Sequence, residues 1–91
     1  MAAAARLDHL ISFVSVHDVV RAEQLLTAAG IIVVARPTPR EIDLSCGQSL
    51  LLAAGDLEAA LAVLAKNAAR WNKLYRRVAA RAWEKISEYE E

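Results

Sequence analysis

Cys46 is the only thiol in the 91 residues of this chain, and it closes an irregular stretch, Pro37 to Gly47, that also holds both prolines and Arg40. A single cysteine cannot form an internal disulfide, but it can act as a nucleophile or carry a transferable atom, and its thiolate is the reactive form. Pro37 and Pro39 fix their own φ and bias the residues before them toward extended backbone, which stiffens the loop. Gly47 lacks a Cβ, so the chain can turn there, or a ligand or partner can approach the sulfur. Arg40 is permanently cationic, and a guanidinium reaching back over the loop would favour the thiolate. His17 is a candidate proton shuttle, set against a plain capping or surface role. Cys46 has an equally ordinary alternative as a small buried hydrophobe.

These side chains need elements to position them. Leu10–Val16 is apolar on both faces and β-branched, as expected of a central strand. Ser15, His17 and Asp18 supply helix-start chemistry. Val19, Ala22, Leu26 and Ala29 then share a helical face, and Gly30 stands where a left-handed residue would close the helix. Ile31–Ala35 reads as a second strand, which gives a βαβ unit with its strands running in the same direction. A third strand over Gln48–Ala54 leaves a joint of about ten residues, longer than the two to five of a hairpin loop. Asp56 is the expected N-cap of a second helix with a stripe of Leu57, Leu61, Leu64 and Ala68. Residues 70–78 fit either a fourth strand or one long helix, since Trp71, Tyr75, Val78, Ala82, Ile86 and Tyr89 continue that stripe.

The chain is long enough for one small domain. Eleven basic and eleven acidic residues cancel, so composition points to neither nucleic acid nor an anionic membrane. No apolar run has the length of a membrane span, and the N-terminus has alanines where an export signal carries lysine or arginine. The expected location is therefore cytoplasmic, where a lone thiol stays reduced. One cysteine and two histidines at no ligand spacing supply no metal site, and neither a glycine-rich phosphate loop nor any other cofactor motif occurs.

The ordered series His17-Asp18, Ala22-Glu23, Ala29-Gly30-Ile31, Pro37-Thr38-Pro39-Arg40-Glu41-Ile42 and Ser45-Cys46-Gly47 resembles the small bacterial family described as putative selenium or sulfur carrier-like proteins. The resemblance implies an α+β, ferredoxin-like βαββαβ two-layer sandwich over residues 7–78, with Trp71–Val78 as its fourth strand and 79–91 as a helical C-terminal tail. It implies that Cys46 is a carrier thiol holding sulfur or selenium as a persulfide or selenosulfide. The partners would be a cysteine desulfurase-like donor and an acceptor enzyme. Asp43 and Leu44 depart from the small residues usual before Ser-Cys-Gly. The alternative is a regulatory or interaction module in which Cys46 is structural, with an uncovered sheet face or the tail docking a partner or a second copy.

Overall fold

In the computed structural model, which describes residues 6–42 and 47–89, the elements run β1 (His9–Phe13), α1 (Val16–Ala28), β2 (Val34–Pro37), β3 (Gln48–Leu52), α2 (Leu57–Lys66), β4 (Lys73–Ala79) and β5 (Ala82–Glu88). Local chemistry accounts for the helix ends. Ser15 is extended and its hydroxyl accepts from the Asp18 N–H at 3.1 Å, capping α1. At the other end Gly30 has φ +83°, with Gly30 N–H bonded to Thr27 O and Ile31 N–H to Leu26 O. This is a Schellman closure, and it seats Ile31 beside Leu26 in the core.

α2 closes in the same way, with Ala69 N–H on Leu64 O and Ala68 N–H on Ala65 O. Here, though, the left-handed residue is an alanine, Ala68, at φ 52°. Ala68 therefore lies past the helix and is exposed, not on the buried stripe where periodicity puts it; Ala60 and Leu64 are the buried positions of α2. Asp56 makes no capping bond, because it sits in a 3-10 turn (Ala54–Asp56) at φ −99°, ψ −4° and not in the extended backbone a cap requires.

The five strands form one antiparallel sheet in the order β2-β3-β1-β4-β5. β1 and β2 are both antiparallel to β3 and so share a direction, as the βαβ reading requires, with β3 lying between them. β2 starts three residues later than expected because Ile31 is used in the helix closure. It is an exposed edge strand, which tolerates Pro37. On the helix side Ile11, Phe13, Leu50, Leu52 and Leu74 pack with Val19, Ala22, Leu26, Ala60 and Leu64.

Two expectations are corrected. Among the described residues the tail after Ala79 is not helical. The chain reverses and returns as β5, with Arg77 opposite Trp83 and Ala79 opposite Ala82. Cross-strand partners explain the choice: the Arg77 guanidinium lies 4.8 Å from the Trp83 ring centroid, Arg76 pairs with Glu84, and Trp71 meets Tyr89 edge-on at 5.6 Å. Nor is the sheet face away from the helices bare. Leu10, Leu51 and Tyr75 are buried there beneath Leu7, Ile42 and Trp83. Among the described residues no helix is long and apolar enough to cross a membrane.

Two measurements follow from these local features. A left-handed alanine costs roughly 1–2 kcal/mol, partly offset by glycine's greater chain entropy. Ala68→Gly should therefore raise the stability measured by urea unfolding, by about 0.5–1 kcal/mol. At the head of β1, the buried His9 Nδ1 donates to Asp8 Oδ1 at 2.9 Å, which holds the Asp8 carboxyl below its ordinary range. A depressed folded pKa contributes stability that is complete above the unfolded value of about 3.9 and is lost as pH falls through the folded one. Asp8→Asn should thus flatten the acid limb of the unfolding midpoint below about pH 4.

Candidate functional site

The ten residues 38–47 that join β2 to β3 are tied down at both ends of their described parts. At the base, Pro37 pairs with Gln48, and Thr38 N–H donates to Gly47 O at 3.3 Å. The Thr38 and Ser49 hydroxyls bond each other, and both residues are buried. Next along the sheet, opposite Ser49, the buried Ser12 hydroxyl accepts from Lys73 N–H at 3.2 Å and donates to Lys73 O at 3.3 Å. Strand alternation puts Ser12 and Ser49 on the face of Leu10 and Leu51, away from the helices. Each hydroxyl has a partner, as burial demands.

Beyond Thr38 the chain makes a turn closed by Ile42 N–H on Pro39 O at 3.0 Å, with Arg40 and Glu41 exposed. Ile42 is half-buried against the Leu10, Leu51 and Tyr75 cluster. The first part of the loop therefore crosses the sheet face opposite the helices. This use of its length was not legible in the sequence.

Of the residues singled out by their chemistry, Cys46 lies outside the described residues, as do Asp43 and Leu44. Arg40 sits exposed in the turn. Pro37 ends β2, Pro39 starts the turn, and Gly47 is exposed beside the start of β3. A Cβ built on Gly47 would meet no heavy atom within 4 Å, so close packing does not explain the glycine. His17 is exposed in the first turn of α1. It lies at the same end of the sheet as Gly47, because Phe13, the last residue of β1, faces Gln48. The fold thus brings the loop base and the α1 N-terminus to one end of the molecule. Among the described residues no group of three or more His, Cys, Asp or Glu could hold a metal ion.

Sequence reasoning missed Thr38, Ser49 and Ile42, which hold the loop. The available signal was Ser12 and Ser49, each the one hydroxyl residue beside the apolar run of its strand.

A family model described as putative Se/S carrier protein-like matches residues 8–76, a span that runs from the head of β1 into β4 and includes the whole β2–β3 loop. No curated protein matches the chain, and no solved structure does.

The hydroxyl clamp makes a measurable difference. Thr38→Val leaves the buried Ser49 hydroxyl without its partner and should cost about 1–3 kcal/mol in urea unfolding. Thr38→Ser, which keeps the hydroxyl, should recover most of that loss, whereas equal destabilisation by the two variants would count against the hydroxyl pair as its source, since valine keeps the methyl that serine lacks.

Proposed function

The chain belongs to the putative Se/S carrier protein-like family, and on that basis we propose that it is a non-enzymatic carrier of sulfur or selenium, with Cys46 holding the atom as a persulfide or selenosulfide. The observation that carries the reading is the family match across the whole loop. Support comes from the described parts of that loop, where Ile42 is seated on the sheet and Gly47 O accepts from Thr38 N–H.

The chemistry asks little of the fold. The Cys46 thiolate attacks the outer sulfur of a donor persulfide. A new S–S bond forms, the donor's S–S bond breaks, and the donor cysteine leaves with the electron pair as a thiolate. Delivery repeats the exchange with an acceptor's thiolate, so no net oxidant is consumed. An ordinary thiol with pKa about 8.5 is only a few per cent ionised at neutral pH, and a cation near the sulfur raises that fraction. Arg40, exposed in the turn four residues after Arg36 and six before Cys46, is the cation assigned to that task. His17, at the same end of the sheet as the loop base, is assigned proton exchange.

On this reading the first six elements, β1-α1-β2-β3-α2-β4, are a ferredoxin-like carrier module, with β5 added at its β4 edge. The donor is a cysteine desulfurase-like enzyme and the acceptor a second enzyme, both in the cytoplasm. The rival reading, an interaction module in which Cys46 is structural, would dock through a β5 strand and not a helical tail, and finds part of the sheet face already occupied by Leu7, Ile42 and Trp83.

Incubation with a cysteine desulfurase and cysteine should add the mass of one sulfur atom to the intact protein, removable by a reductant and absent in Cys46→Ser. Alkylation of native Cys46 at pH 7 should outpace that of a model thiol and slow in Arg40→Ala. A cysteine that labels only after unfolding would end the proposal.

A further inference from the structure

A second feature occupies the same end of the sheet as the loop base. Val14, Asp18, Arg70, Trp71, Asn72 and Tyr89 line a cavity of about 320 Å³. Its walls are held by backbone bonds: Asn72 N–H donates to Ser12 O at 2.7 Å, and Tyr89 N–H to Asn72 O at 2.9 Å. These bonds, with the edge-on Trp71–Tyr89 contact at 5.6 Å, fix two aromatic rings side by side. Asp18 stands in the first turn of α1, where the Ser15 cap holds its backbone N–H. Val14 follows Phe13, the last residue of β1, so the cavity lies at that end of the sheet, on the β4–β5 side of β1.

The lining brings three kinds of recognition together. Asp18 offers a carboxylate, Arg70 a guanidinium, and the two rings offer π surface that attracts a cation. A guanidinium has five donors and can hold a ligand carboxylate alongside a protein neighbour. One negative and one positive side chain flanking aromatic walls match a ligand that bears both charges. The volume lies at the bottom of the range for small-molecule sites, about 300–1,000 Å³, and suits one small molecule. We infer that this cavity binds a free zwitterionic α-amino acid, its ammonium between Asp18 and the Trp71–Tyr89 rings and its carboxylate on Arg70.

The identity of the side chain rests on the carrier reading: a thiol amino acid, so that the sulfur donor can be cysteine persulfide as well as a protein. In that step the Cys46 thiolate attacks the terminal sulfur, the ligand's S–S bond breaks, and cysteine departs as its thiolate.

The binding test uses the whole protein as Cys46→Ser, which removes exchange chemistry, and reduced L-cysteine as the probe, followed by two-dimensional amide and indole NMR. The Trp71 indole and the Asn72 and Asp18 amides should shift saturably, with a Kd on the order of 1 mM or tighter. Cysteamine, which lacks the carboxylate, and 3-mercaptopropionate, which lacks the ammonium, should each bind about tenfold or more weakly, the loss of one charged hydrogen bond. Asp18→Asn should remove discrimination against 3-mercaptopropionate, and Arg70→Gln that against cysteamine. If either variant fails to fold, the ligand series on Cys46→Ser alone decides. Absence of saturable shifts, or equal binding of all three thiols, overturns the assignment. Failure of the carrier reading looks different: cysteine binds here, while the wild-type protein takes up no sulfur.

Discussion

Leu10 points away from the helices and is fully buried. The central strand is apolar on both faces, yet two helices can cover only one, so the rest of the molecule has to supply a second lid. Burying a leucine contributes about 1.5–3 kcal/mol relative to leaving it in water, enough to reward ordered chain on that side. Three segments meet the demand: Leu7 ahead of β1, Ile42 from the β2–β3 loop, and Trp83 from β5.

This constraint explains the two features that otherwise look arbitrary. The β2–β3 connection is long because part of it crosses the sheet face to deliver Ile42. The chain beyond β4 turns back as a strand because Trp83 can reach the Leu10 cluster only from a neighbouring strand, and because the Arg77, Arg76 and Trp71 contacts form only across that ladder. The loop that carries the motif is therefore also a structural element. Its described parts are held by an apolar contact at Ile42 and by the paired hydroxyls of Thr38 and Ser49.

The same geometry concentrates chemistry at one end of the sheet. The loop base, the capped start of α1 with His17 and Asp18, and the aromatic cavity around Trp71 all meet where β1 ends and β3 begins. The opposite end holds a cavity of about 540 Å³ between Arg6–Asp8 and the β4–β5 turn, away from the loop base.

The elements as far as α2 were legible because their signals are local: a doubly apolar strand at Leu10, a serine cap, a glycine at the left-handed position, and a family motif in fixed order around Pro37 and Cys46. Residues 70–89 were less so. Their spacing fits a helix as well as strands, and the family resemblance, not periodicity, pointed to β4. The return of the tail as β5, the cover over Leu10, the Thr38–Ser49 pair and the Trp71–Tyr89 contact depend on residues far apart in the chain meeting across a sheet. Tertiary contact decided them, because a hydrophobic face or a buried hydroxyl states what it requires but not which distant segment will satisfy it.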